Sequence, residues 1–344
     1  MALMMIGSGI NRLHSNLTKC RFGLSTFPRS SHGVHAHKSD FDYFSDYVLN
    51  TQSAILEDAA ALDGSGKQFI TDQWARDSTN INAGYGLTAV LEDGLILEKA
   101  AANVSIIQGV LTPARAHSMT SRGRSGIDPN GGQSYKAAAL SLVFHSAHPL
   151  IPTLRADVRF FQVDEQMWMG GGCDLTPAYL HEPSITQFHL YWKNMCDRYG
   201  THLYHQMKEE CDRYFYIPAR KEHRGTGGIF YDDLSSEESG FNVSAFTEEV
   251  GSGFLPSWLP SVEALRSLPY TEEQRQWQLL RRGRYLEFNL LYDRGVKFGL
   301  DGGRMESIMV SAPPLIAWRY NVQAKPESDE EKLVQVLQKP RSWL

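Results

Sequence analysis

Leu154-Arg155-Ala156-Asp157-Val158-Arg159-Phe160-Phe161-Gln162-Val163 alternates charged and apolar side chains over most of its length. In an extended chain successive side chains point to opposite sides, so Arg155, Asp157 and Arg159 share one face while Ala156, Val158 and Phe160 share the other. This is the pattern of a strand with one buried side. Period two returns upstream in Leu87 to Val90, which turns at Asp93-Gly94 and resumes at Leu95 to Leu97. Downstream it returns in Gly228 to Asp232, in Arg284 to Tyr292 and in Met305 to Ser311, the last two joined by a turn at Asp301-Gly302-Gly303. Helical spacing lies between these segments. Phe41, Phe44, Val48 and Ile55 form one stripe; Ile185, Phe188, Trp192, Met195 and Tyr199 form another, with Ser184 as a cap and Gly200 as its end. Leu203, Met207, Cys211 and Tyr214 form a third stripe, and Thr271 with Gln274 makes a capping box for a helix running through Trp277 and Leu280 towards Arg282. The expectation is an α+β chain with one domain from residue 40 to 344 and a large antiparallel sheet.

The 344 residues are 42% hydrophobic, enough for a sizeable core. With 34 basic and 39 acidic residues the net charge is −5, which offers no footprint for nucleic acid. No run approaches the ~20 apolar residues of a membrane-spanning helix. Cys20, Cys173, Cys196 and Cys211 lie far apart, which fits reduced, buried thiols and opposes an iron–sulfur centre. Residues 1–39 carry Arg12, Lys19, Arg21, Arg29 and Lys38 and no acid. That composition suits a mitochondrial presequence; a tail that targets nothing, leaving the protein cytoplasmic, is the other reading.

Three segments could carry chemistry. Arg155, Asp157 and Arg159 place two guanidiniums around a carboxylate, a surface for carboxylate groups as much as an ordinary solvated strand face. Met167-Trp168-Met169-Gly170-Gly171-Gly172-Cys173-Asp174-Leu175-Thr176-Pro177 packs aromatic, glycine and acidic residues into one expected turn, where the glycines permit close approach of a flat ligand. It lacks the Lys-Ser/Thr of a phosphate-binding loop. In Arg281 to Gly295, read as a strand, Asp293-Arg294-Gly295 sets a carboxylate and a guanidinium at the strand end, either for a cleft or as a structural ion pair. None of the 12 histidines falls in a metal-binding signature, and the cluster His32, His35 and His37 sits in the basic tail. No nucleophile elbow or dinucleotide fingerprint is present.

Val90-Leu91-Glu92-Asp93-Gly94, Gly170 through Pro177, Arg224-Gly225-Thr226-Gly227-Gly228-Ile229-Phe230-Tyr231-Asp232-Asp233-Leu234 and Arg281 through Gly299 together resemble the oxygen-dependent coproporphyrinogen III oxidases, over about Phe41 to Tyr320. The resemblance implies a broad antiparallel sheet covered by helices on both faces, a homodimer and no organic or metal cofactor, with molecular oxygen as co-substrate. It also implies a reaction in haem biosynthesis: oxidative decarboxylation of two propionates of coproporphyrinogen III to vinyl groups, giving protoporphyrinogen IX. By position it implies Asp293 and Arg294 as an acidic–basic catalytic pair with Asp174 a second catalytic carboxylate. Ser141, Arg155, Asp157, Arg159 and the Gly302-Gly303-Arg304 turn fall on substrate contacts. Two departures stand out. Many relatives carry a proton-donor histidine where this chain has Arg155, and a histidine where it has Ala219, which with His145 and His189 would complete a metal set. Arg155 cannot act as a general acid near neutrality. The competing class is a non-catalytic porphyrin binder or carrier, which keeps the cleft without the chemistry. A radical decarboxylase is disfavoured by the scattered cysteines.

Overall fold

The computed structural model describes residues 38–344 except 78, 79, 81, 82, 122 and 301–303. Its elements, in order, are α1 (Asp40–Asp63), β1 (Ile70–Ala75), β2 (Gly84–Glu92), β3 (Leu97–Val110), α2 (Pro113–Thr120), β4 (Ser134–Ser146), β5 (Thr153–Val163), β6 (Gln166–Thr176), α3 (Glu182–Asp197), α4 (Leu203–Tyr214), β7 (Tyr216–Ile217), β8 (Glu222–His223), β9 (Gly227–Leu234), α5 (Ser236–Ser239), α6 (Val243–Ser252), α7 (Phe254–Leu265), α8 (Glu272–Leu291), α9 (Arg294–Leu300), α10 (Met305–Met309) and α11 (Asp329–Gln338). Seven strands form one antiparallel sheet in the order β1-β2-β3-β4-β5-β6-β9, and β7 pairs with β8.

Strand periodicity divides the sheet into two unlike faces. On one, Ala102, Leu142, Ala156, Cys173 and Ile229 stand side by side across five strands, all buried. Helices α1, α6, α3 and α7 cover this side, with Phe160 packed against Phe41 and Phe44, and Trp258 against Phe144. Truncating a side chain such as Phe160 to Ala would cost about 3–5 kcal/mol, the transfer term plus the cavity left behind. The Asp93-Gly94 hairpin is anchored by the Asp63 carboxylate, which accepts the amides of Ile96 and Leu97 at 2.8 Å each. A Cβ at Gly94 would lie 2.5 Å from that carboxylate, so only glycine fits there.

Three expectations are corrected. Arg284 to Tyr292 is not a strand: the capping box at Thr271 and Gln274 starts α8, which continues to Leu291. Its buried side chains Gln278, Arg281, Arg282, Tyr285, Phe288 and Asn289 fall at helical spacings of three, four and seven on one stripe, which packs towards the sheet. The alternation of Leu286 and Leu290 with Phe288 is incidental, since only Phe288 belongs to the buried stripe. Met305 to Ser311 likewise holds the short helix α10, so no hairpin spans Tyr285 to Ser311. The glycine-rich run is not a turn but the middle of β6, paired on both sides. Smaller differences concern α3, which begins at Glu182, while the Ser184 hydroxyl bonds the His181 carbonyl rather than capping the helix. Cys173, Cys196 and Cys211 are free and buried. Cys20, residues 1–37 of the basic tail with their three histidines, Gly302 and Gly303 lie outside the described residues.

Candidate active site

The second face of the sheet is polar. Cross-strand register sets Thr88, Asn103, Ser141, Asp157, Gly172 and Phe230 in one row, and Val143, Arg155, Asp174 and Gly228 in the next. Arg159 lies opposite Gly170 one step further along. Four of the expected residues, Ser141, Arg155, Asp157 and Arg159, therefore share one floor and are each half-buried. Asp174 joins them on that face but is buried, with 3% exposure.

The glycines of β6 shape this floor. A Cβ at Gly170 would lie 2.7 Å from Arg159 Nε, so the missing side chain makes room for the guanidinium to lie flat. Gly171 does the same on the core face for the Tyr231 hydroxyl, 2.8 Å from where its Cβ would be. Their first service is thus to neighbouring side chains rather than to a ligand.

Two arginine–carboxylate assemblies stand on the floor. In the sealed one, Arg224 Nη2 donates to both Asp174 oxygens at 2.7 Å. Its guanidinium lies 3.8 Å from the Phe215 ring centre, 4.9 Å from Tyr285 and 5.1 Å from Phe288. Burial pushes the Asp174 carboxyl above the usual carboxylate range, and Arg224 opposes that rise. In the open assembly Arg159 pairs with Asp157 and, at 3.2 Å, with Asp232. Asp232 also receives Arg294 at 3.3 Å. Burial works against the Arg159 charge, but Asp157 and Asp232 outweigh it and raise the guanidinium further. Arg294 itself is exposed and stacks over Tyr214, whose ring lies 4.5 Å from Phe230.

Asp293 and Arg294 sit at the joint between α8 and α9, not at a strand end. Asp293 Oδ1 accepts the Val296 amide at 2.8 Å and so caps α9, while the Arg294 amide donates to the Tyr214 hydroxyl at 3.1 Å. Burial, followed by the Asp293 charge, raises the Tyr214 phenol. Arg155 Nη1 donates to the carbonyls of Leu142 and Ala156. Arg304 stands apart from this group, bound to Asp72 of β1 and to Ser307. From there α10 is held over the sheet, with Ser307 meeting Thr88 and Asn103.

Neither of the two histidines that this chain keeps from the relatives' metal set, His145 and His189, is poised to ionise. His145, bonded to the Ser311 carbonyl, is held well below its usual range by burial and by Arg282, and His189 is pushed down to about 3 by burial. Among the described residues no three His, Cys, Asp or Glu side chains converge as metal ligands. The reading by residue type did not single out Arg224, Asp232, Tyr214 or Tyr285. Arg224 and Asp232 lie in the Arg224 to Leu234 stretch that carries the resemblance, and Tyr214 in a helical stripe, but only the folded chain reveals whom they meet.

The coproporphyrinogen III oxidase family profile matches residues 43–343. The human mitochondrial oxygen-dependent coproporphyrinogen-III oxidase (Homo sapiens) is 40% identical over 304 residues, 86% of this chain and 66% of that protein. The Drosophila melanogaster oxygen-dependent coproporphyrinogen-III oxidase is 40% identical over 86% of this chain and 76% of its own length. A chloroplastic relative from Glycine max is 38% identical over 93% of this chain and 83% of its own length. The chain thus spans just under two thirds of the human relative and more of the other two. A profile match covering nearly all of the sheet and helices just described places the chain in the coproporphyrinogen III oxidase family.

Proposed function

We propose that this protein oxidatively decarboxylates two propionates of coproporphyrinogen III to vinyl groups, yielding protoporphyrinogen IX for haem synthesis. Each propionate loses its carboxylate as carbon dioxide and a hydride equivalent from the methylene next to the pyrrole ring, and molecular oxygen with one proton becomes hydrogen peroxide. The supporting observation is the polar sheet face, where Ser141, Arg155, Asp157 and Arg159 stand in register on neighbouring strands with Arg294 linked to them through Asp232. A substrate with four carboxylates and four pyrrole N–H groups requires cationic partners beside acceptors, and this floor presents both.

In this reading Asp293 polarises a pyrrole N–H, Arg294 and Arg159 receive propionates by displacing their internal carboxylate partners, and Asp174 is the second carboxylate, buried on the same face. Arg155, Ser141 and the Gly302-Gly303-Arg304 segment complete the substrate contacts. The side chains supply acid–base and electrostatic chemistry without a resident cofactor. The exposed Leu290, Leu291, Leu300, Met305, Trp318 and Tyr320 would be covered in a homodimer, and the basic segment before Asp40 would direct the chain to mitochondria.

Incubating the protein with coproporphyrinogen III in air and following protoporphyrin fluorescence tests the activity. Fluorescence growth that requires oxygen is the expected result. Tight binding without turnover would instead establish a porphyrin carrier.

A further inference from the structure

Where α8 crosses the adjoining ends of β5 and β6, a small cavity is lined by Thr153, Thr176, Gln278, Arg281, Arg282 and Tyr285, among others. Four of these residues carry a polar atom that is buried and has no hydrogen-bond partner: Thr176 Oγ1, Arg281 Nη2, Arg282 Nε and Tyr285 Oη. The residues themselves are at most 8% exposed. Buried polar groups in native proteins are met by a partner, so four orphans around one space point to an occupant.

The surrounding charges say which kind. Arg282 and Arg275 share Glu98. Arg281 and Arg284 both reach Glu222, and Arg284 and Arg220 both reach Glu287. Five guanidiniums thus divide three carboxylates among them. Burial draws Arg282 down to about 10, with Glu98 opposing, so its charge is only partly offset. The orphaned nitrogens can only donate, and the threonine and tyrosine hydroxyls can donate as well. A space of about 10 Å³ admits one particle of roughly the size of water and excludes a carboxylate arm.

We propose that this cavity binds a single small inorganic anion of the chloride class, clamped between α8 and the ends of β5 and β6. The anion accepts from both guanidiniums and from the hydroxyls around it and offsets the local positive excess. A neutral water would satisfy some of the donors and leave that excess in place. The site adjoins the sealed Arg224–Asp174 assembly through Tyr285, and neither its occupancy nor its test involves turnover.

Crystals of the full chain soaked in sodium bromide, with data collected at the bromine edge, should show an anomalous peak in contact with Arg281, Arg282 and Thr176. In solution the melting temperature should be higher, by about 2–5 °C, in sodium chloride or bromide than in sodium gluconate at equal ionic strength. Thr176→Val keeps the side-chain shape and should reduce that halide dependence; Arg281→Lys, which keeps the charge but loses the fork, should reduce it further. A cavity without a bromine peak, or melts that coincide in all three salts, would overturn the proposal in favour of internal water.

Discussion

The two arginine–carboxylate assemblies on the polar face share a composition and differ in access to solvent. Around Arg224 and Asp174 the aromatic rings of Phe215, Tyr285 and Phe288 exclude water, and the carboxylate is held by one nitrogen between both oxygens. Around Arg159 and Arg294 the carboxylates Asp157 and Asp232 are half-buried, and Arg294 is exposed. Removing one partner from a sealed pair strands a charge in a low-dielectric place, whereas an open pair can trade its partner for an incoming carboxylate at little cost. The sealed assembly therefore sets the shape of the floor, and the open one is suited to receive ligand.

The largest effect should come from Asp293, which stands between the two. Asp293→Asn keeps the cap on the Val296 amide but removes the charge, and turnover of coproporphyrinogen should fall by about 10²- to 10⁴-fold while binding largely survives. Near-normal turnover in a folded protein would assign the base elsewhere. Asp174 would be the poorer replacement, because both its oxygens are engaged by Arg224.

Next in size, Arg224→Met should lower unfolding stability by about 3–5 kcal/mol in urea titrations, and Asp174→Leu added to it should restore much of the loss. A single variant that melts like the parent would mean that this pair is not sealed at all.

A smaller effect is expected from pH. His189 is held near 3 in the fold by burial, against about 6.5 when unfolded, so the unfolded chain binds the extra proton. Stability from this residue is complete above pH 6.5 and drains away as pH falls below it, by about 1.4 kcal/mol at pH 5.5. His145 should add to the same trend, since burial and the Arg282 charge also lower it. Melting curves of His189→Gln and the parent across pH 5.5–7.5 measure the difference; parallel curves would contradict it.

The smallest effect belongs to the open assembly. Arg294→Lys keeps a charge but loses the planar fork, so KM should rise roughly three- to tenfold with kcat and melting temperature little changed. A large drop in stability would move Arg294 into the sealed class.

What was legible in the chain follows the range of the forces involved. The Arg155, Asp157 and Arg159 face is written by local alternation and folds as read. So is the Thr271–Gln274 capping box, a contact over three residues. Arg284 to Tyr292 was misread because Leu286, Phe288 and Leu290 fit a strand as well as a helix, and only packing of Arg281, Tyr285 and Asn289 against the sheet decides between them. The joint at Asp293-Arg294 was recognised by its residue types but placed on the wrong kind of element. Arg224 was out of reach for a different cause: its partner lies 50 positions away in the chain, and no local pattern encodes that meeting.

The order of strands also has a kinetic consequence. From β1 to β6 every strand pairs with its predecessor, so each addition closes only the loop just synthesised. β9 breaks that rule, returning to β6 only after the chain has run from Thr176 to Gly227 through two helices and a small hairpin. Closing that excursion carries the largest entropy penalty among the sheet's connections. The strand that delivers Asp232 to the floor is thus the last for which pairing becomes favourable, and ligand-binding geometry should mature later than the bulk of the β-structure.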